Sequence, residues 1–227
     1  MFEDLLSHYS VMEPAGADAW NPLQNELELW HRTRLLVELA RALRALPGPI
    51  EKARVLDVGC GVGRSTRLLL EFGLSPENIL GIDLRPTAIE HARRLNPAIP
   101  FRTVNGFDDW PLESEFDFCL QCTVFSSISG VERRELTARM MEKAVGNKGF
   151  IFWWDRLRAN DFAGNDLLDP AAFFGSRRLL SLRQVPLWPC MEESLRPLRG
   201  LRKVFVSAFG RLGYPRTHVA AVFGPKL

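Results

Sequence analysis

The chain has 227 residues, 46% hydrophobic and 25% charged, with a formal net charge of +2, which fits one ordinary globular domain with a sizeable core. No run approaches the roughly eighteen apolar residues of a membrane span, and residues 1–10 lack the basic stretch followed by an apolar one that opens a signal peptide, so a cytoplasmic protein is expected. No basic tract is interleaved with aromatics as nucleic-acid binding would need; the charge is uneven, however, with 12 Lys+Arg against 6 Asp+Glu in residues 151–227, a balance suited to an anionic partner or a membrane surface.

Residues 1–25 are polar and broken by Pro14, Gly16 and Pro22, and read as a loop or lid. From 26 to 46 the apolar residues recur at helical spacing until Pro47-Gly48-Pro49 stops the pattern, predicting an amphipathic leading helix. Val55-Leu56-Asp57-Val58 is a short buried strand, Gly59, Gly61 and Gly63 make a tight loop, and a helix is expected to start at Arg64. Glycines at alternate positions let a backbone approach a ligand that a Cβ would push away.

A second strand at 78–83 ends in Asp83, twenty residues after Gly63, where a carboxylate can accept the ribose hydroxyls of an adenosine. A helix from Pro86 to Asn96 follows, with proline in its first turn, then a third strand at 101–104. The fourth strand, 116–123, is nearly all apolar, as a central parallel strand covered on both faces should be. After a helix over 131–144 comes a fifth strand, 150–154, ending in Asp155. A short helix begins at Asp169-Pro170, a sixth strand is expected at 180–187, a basic amphipathic helix within 188–213, and a seventh strand at 218–223. Four cysteines are too few for a disulfide scaffold, and Cys119 and Cys122, three apart on a strand, point to opposite faces.

The loop spacing is informative. A dinucleotide fingerprint is GxGxxG, with its third glycine where this chain has Arg64; here the pattern is GxGxG, with Asp57 two residues ahead of it. Taken with LGIDLRPTAIEHAR, the Phe116-Asp117 that opens strand four and the GNKGFIFWWD that closes strand five, VLDVGCGVGR resembles the class I S-adenosylmethionine-dependent methyltransferases, over about residues 53–155. The resemblance implies an α/β, Rossmann-like three-layer sandwich whose seven-stranded, mostly parallel sheet has its last strand antiparallel, with helices on both faces. It divides the chain into an N-terminal helical lid, 1–50, and a methyltransferase domain, 51–227, whose insertions at 156–217 select the substrate.

The same resemblance implies S-adenosylmethionine as cofactor, contacted by Asp57, Gly59, Cys60, Gly61, Asp83, Leu84, Gly106, Phe107 and Gln121. Family members often carry an acid after strand three to hold the adenine; Gly106 stands there, leaving the job to the backbone of Gly106 and Phe107, to the Phe107 ring, or to Asp108. The N-terminal extension would lie across the mouth of the site, which draws attention to Asn21, His31, Arg32 and Arg34. An antiparallel seventh strand would bring Thr217 and His218 to the rim where the parallel strands end.

S-adenosylmethionine carries its own electrophile, so the protein must align an acceptor and, for a hydroxyl, remove a proton. His218 is the first candidate base, Asp155 the second and His31 the third; His91 should be surface. No metal is expected, since no acids cluster with His or Asn at ligand-like positions. Similarity to bacterial methyltransferases of polysaccharide and natural-product pathways implies a hydroxyl of a small-molecule, sugar or carrier-linked glycan acceptor, with Arg177 and Arg178 available to phosphates; Trp153, Trp154 and Trp188 suit sugar faces or aromatic rings equally, and core packing better than either. The alternatives are N-, C- or phenolic O-methylation, an NAD-dependent oxidoreductase, against which Arg64 argues, and a binding protein that keeps the fold without turnover.

Overall fold

A computed structural model describes residues 26–111, 116–160, 163–186 and 216–227. The lid at 1–25 with Asn21, the amphipathic helix expected within 188–213, Trp188 and Cys190 lie outside the described residues. In chain order the structure runs α1 (Glu26–Leu43), β1 (Val55–Val58), α2 (Leu68–Glu71), β2 (Ile79–Asp83), α3 (Pro86–Leu95), β3 (Phe101–Thr103), β4 (Phe118–Cys122), α4 (Val131–Val145), β5 (Phe150–Arg156), α5 (Pro170–Phe173), β6 (Arg177–Pro186) and β7 (Arg216–Lys226).

The seven strands form one sheet in the order β3-β2-β1-β4-β5-β7-β6. The pairs among β1 to β5 are parallel, and β7 runs antiparallel to both β5 and β6, so one strand alone is reversed. Val55, Phe118, Leu120, Phe152 and Trp154 point to a core shared with Leu35 and Leu39 of α1, Leu68 and Leu69 of α2, and Ile89 and Ala92 of α3. Leu56, Val58, Cys119, Ile151 and Trp153 point the other way, onto Ala138, Met141 and Ala144 of α4 and onto Phe174. This two-residue alternation on continuously apolar strands builds a three-layer sandwich, because each face of a parallel sheet needs its own cover.

Cys119 lies in the second core and Cys122 against the first, which the odd spacing dictates. The strand order reverses between β1 and β4, the switch point beside which open α/β sheets hold their ligands. β7 starts beside the end of β5, with Arg156 opposite His218 and Asp155 opposite Val219, so His218 is on that rim.

Three expectations need correction. The segment after the glycine loop is not a helix from Arg64: turns run to Arg67 and only Leu68–Glu71 is α-helical. The cause lies in Asp57, whose Oδ2 accepts from Ser65 Oγ at 2.9 Å and Thr66 Oγ1 at 2.6 Å, a side-chain pull that competes with helical geometry. The sixth strand begins at Arg177 rather than 180, and the seventh covers Arg216–Lys226 rather than 218–223. Pairing with each other extends both beyond their apolar stretches.

Candidate functional site

The glycine loop links β1 to α2 at the switch point. Gly59, with φ +65°, could not carry a side chain: its Cβ would lie 2.5 Å from Val124 Cγ2. Gly61 also has a positive φ, +55°, and its N–H donates 2.8 Å to Asp83 Oδ2. Asp83 Oδ1 accepts from the backbone N–H of Arg85 at 2.9 Å and from its Nε at 3.1 Å. The buried carboxylate at the end of β2 therefore faces the glycine loop, as the sequence spacing requires. Cys60 contributes its backbone, its N–H donating 3.0 Å to Ile82 O; burial pushes its thiol well above the usual range, so it stays protonated.

Asp57 is fully buried. Its Oδ2 holds the two hydroxyls, whereas its Oδ1 has no partner among the described residues. Burial pushes its pKa up to about 7, against the opposing pull of Thr66 and Ser65. An uncompensated buried carboxylate oxygen is costly, and a cation brought to it would remove that cost.

Leu84 packs beside Phe107, Trp110, Met140 and Leu136. Phe107 is buried in this cluster, whereas Asp108 is exposed. A Cβ at Gly106 would meet nothing within 4 Å, so the acid often found there in similar proteins is replaced by open space. Gln121 points into the α4 face of the sheet, where its Oε1 accepts from Val124 N at 3.0 Å. It fixes the residue that closes over Gly59. Between them, Thr123 takes φ +60°, unusual for a β-branched residue and typical of a functional edge.

The three candidate bases gather near the ends of β5 and β7. Asp155 is fully buried, with Oδ2 accepting from Phe125 N at 2.8 Å and Ser126 N at 3.3 Å, and Oδ1 from Arg156 N at 2.8 Å. Burial raises its pKa to about 6, while its bonds hold the loop after β4. His31 on α1 accepts from Trp154 Nε1 at 2.9 Å, which places its ring proton on Nδ1 when it is neutral. Its ring centroid is 5.5 Å from that of His218, and His218 Nδ1 is 3.0 Å from Thr217 Oγ1. Burial lowers His31 to about 4 and, with the charges of His31 and Arg156, lowers His218 to about 3. Both rings are neutral at pH 7 and weakly basic in this arrangement. His91 is exposed.

Other expected ligands of substrate are committed to the fold. Arg177 is buried: it donates to Gly149 O at 2.8 Å and Gly224 O at 3.2 Å, and lies 3.2 Å from Glu142 Oε1. It locks the carboxyl-terminal strands to α4 rather than meeting a phosphate; Arg178 is exposed. Trp153 and Trp154 are fully buried, the first stacked on Phe173 and packed against Phe125, so both take the core-packing role expected ahead of a sugar face. Among the described residues no three His, Cys, Asp or Glu side chains group as a metal site would, and no helix is long and apolar enough to cross a membrane.

The sequence reading missed Ser65 and Thr66, Val124, and the Trp154 bond to His31. Hydroxyls eight and nine residues after a buried strand acid offered a signal for the first two. The other contacts cross between distant segments and had none.

Comparisons with known proteins agree with this geometry. Residues 55–145 match the methyltransferase domain family. A trans-aconitate 2-methyltransferase of Streptomyces coelicolor is 35% identical over 81 residues, 36% of this chain and 26% of that protein. Its namesake in Acidovorax ebreus is 34% identical over 82 residues, 36% of this chain and 30% of that protein. The aligned part thus spans less than a third of these relatives. Among solved structures, the N-methyltransferase NodS of Bradyrhizobium japonicum, in complex with S-adenosyl-L-homocysteine, superposes with a TM-score of 0.66 at 16% identity over 96% of this chain and 97% of that one. A TehB-like SAM-dependent methyltransferase of Corynebacterium glutamicum gives 0.55 at 19% identity over 99% and 97%. The fold is that of the class I methyltransferases.

Proposed function

We propose that this chain, with a methyltransferase domain over residues 55–145 in a class I fold, is a cytoplasmic S-adenosylmethionine-dependent methyltransferase acting on an oxygen of a small acceptor. The observation that carries the reading is the buried, unpartnered Oδ1 of Asp57 beneath a glycine loop whose far side is closed by Asp83. Asp57 would hold the ammonium at the amino-acid end of the cofactor, Asp83 would accept from the ribose hydroxyls, and Leu84 with the cluster around Phe107 would wall the adenine. Its edge is left to the backbone at Gly106. When bound, S-adenosylmethionine supplies a methyl group on a positively charged sulfur.

The acceptor approaches from the rim that carries His31 and His218. For a hydroxyl of a small molecule, sugar or carrier-linked glycan, His218 is the residue placed to take the proton. A second reading is methyl transfer to a carboxylate oxygen. It is favoured by the low basicity of both histidines, about 4 and about 3, because an ionised carboxylate has no proton to lose. The names of the trans-aconitate 2-methyltransferases point the same way. Product analysis with methyl-labelled cofactor and a panel of alcohols, sugars, carboxylic acids and amines tests the proposal. Label in an ether or in an alkali-labile ester supports oxygen transfer, the ester naming the second reading. Label on nitrogen or carbon alone refutes it.

A further inference from the structure

Where β4 ends the chain makes a sharp turn, and side chains hold it. Thr123 N donates to Trp154 O at 2.7 Å, continuing the pairing of β4 with β5. Thr123 then takes φ +60°, a conformation that a β-branched residue keeps only where its surroundings impose it. The next three N–H groups are taken by two side chains. Val124 N donates to Gln121 Oε1 at 3.0 Å, and Phe125 N and Ser126 N donate to Asp155 Oδ2 at 2.8 and 3.3 Å. Further on, Ser126 O accepts from Asn160 N at 2.7 Å and Ile128 O from Arg134 Nε at 2.8 Å. Both ends of the turn are therefore anchored, and its middle depends on Gln121 and Asp155.

That middle carries Val124, whose side chain fills the space over Gly59: a Cβ there would stand 2.5 Å from Val124 Cγ2. Val124 thus meets bare backbone of the glycine loop, at a residue whose φ of +65° itself favours glycine. Asp155 has little left with which to act as a base. It is fully buried, and the N–H groups of Phe125, Ser126 and Arg156 fill most of the about four acceptor positions of a carboxylate. Hydrogen bonds to a charged acceptor are the strong ones, so the carboxylate is a clamp on the turn. Gln121 is committed in the same way. The donor on Val124 fixes which end of the amide is oxygen, and its Nε2 has no partner among the described residues, so the amide serves the fold by holding Val124.

We propose that Asp155 and Gln121 are positioning residues for cofactor binding: they fix the turn at 123–127 so that Val124 holds the glycine loop at Gly59 in the shape that meets the cofactor. Asp155 acts through Phe125 and Ser126 rather than on a substrate proton, and Gln121 acts through Val124. The identity of the ligand rests on the methyl-transfer reading. The coupling of the turn to the glycine loop does not, and it can be measured in the free protein.

The test pairs two measurements on Asp155→Asn, Gln121→Met and Val124→Ala, each made where circular dichroism shows the variant folded. In calorimetric titration, Asp155→Asn and Gln121→Met should bind S-adenosylhomocysteine at least about fivefold more weakly, because only molecules with the turn in place are competent to bind. Val124→Ala should weaken it too, and adding Asp155→Asn to Val124→Ala should cost little more, since both act along one route. Amide exchange in the free protein should quicken at Phe125 and Ser126 in Asp155→Asn, and at Gly59 and Gly61 in all three variants. A residue that merely supports the fold would lower the melting temperature and leave the affinity of the folded protein and the exchange of the glycine loop unchanged; that result overturns the proposal. Additive losses in the double variant overturn it as well, and so does unchanged affinity in Asp155→Asn, the behaviour of a base. If Asp155→Asn does not fold, the cycle with Val124→Ala is run on Gln121→Met, which removes a buried nitrogen that has no partner. If S-adenosylhomocysteine fails to bind the wild type, the methyl-transfer reading falls, and exchange at Gly59 and Gly61 decides alone: faster exchange keeps the coupling, unchanged exchange removes it.

Discussion

Replacing Asp57 by asparagine should stabilise the protein at neutral pH while impairing the binding that the site is built for. The amide fits the same space, and its oxygen can accept from Ser65 and Thr66 as Asp57 Oδ2 does now, but it brings no charge into a fully buried position. Burial raises the Asp57 pKa from 3.8 to about 7. A raised acid pKa means that the folded state holds the proton more tightly than the unfolded one. The stability contribution of Asp57 is therefore fully present below about pH 4 and is lost as pH rises through about 7. At about 1.4 kcal/mol per pKa unit, the loss approaches about 4 kcal/mol. The Asp57→Asn variant has nothing to titrate at this position, so its advantage over the wild type should grow from pH 4 to pH 7 and then level off. Paired chemical-denaturation curves at several pH values measure that difference and cancel the other titrating groups. S-adenosylhomocysteine affinity at pH 8 should fall at least about tenfold with the lost ion pair. In the wild type it should weaken as pH drops below about 7, because Asp57 must release its proton to receive an ammonium. A variant less stable than wild type at every pH, with unchanged ligand affinity, would refute the reasoning.

Four further outcomes are expected. Asp83→Ala should weaken S-adenosylhomocysteine by at least about tenfold through loss of charge-assisted ribose contacts; unchanged affinity in a titration would remove Asp83 from the cofactor site. Gly59→Ala combines a positive φ with a 2.5 Å approach to Val124, and should lower stability by about 1–3 kcal/mol in denaturant unfolding; a neutral result would mean that the loop after β4 is free to move. Trp154→Phe removes the donor to His31 and should cost about 1 kcal/mol, with faster amide exchange along α1; unaltered exchange would show that α1 is held elsewhere. His218→Ala should lower turnover of a hydroxyl acceptor about 10²-fold or more if His218 removes its proton, with cofactor affinity intact; loss of cofactor binding instead would mark a structural role.

The fold was legible because its signals are local. The apolar runs of β1, β4 and β5 declare strands covered on both faces, Gly59 to Gly63 declare the tight turn, and Pro86 and Asp169-Pro170 mark helix starts that the structure keeps. The reversed last strand came from the resemblance, not from any pattern in residues 216–226. In the site, Asp57 and Asp83 could be placed because each ends or fills a strand whose register is fixed by burial. What stayed hidden depends on contacts between distant segments. Nothing in FIFWWD says that one tryptophan packs into each face of the sheet and that the second reaches His31, 123 residues earlier. Arg177 looks like any basic residue of the tail until the sheet closes around it and four carbonyls and the Glu142 carboxylate take up its donors. The contact of Glu28 on α1 with Arg64 after the glycine loop likewise exists only after folding.

The most direct test of the central claim is calorimetric titration of S-adenosylhomocysteine into the purified protein, with NAD as control. Micromolar binding of the first, weakening below about pH 7, with no binding of the second is the expected result. Binding of NAD, or of neither ligand, would contradict it: the first would make the glycine loop a dinucleotide site, and the second would leave a methyltransferase fold without its cofactor.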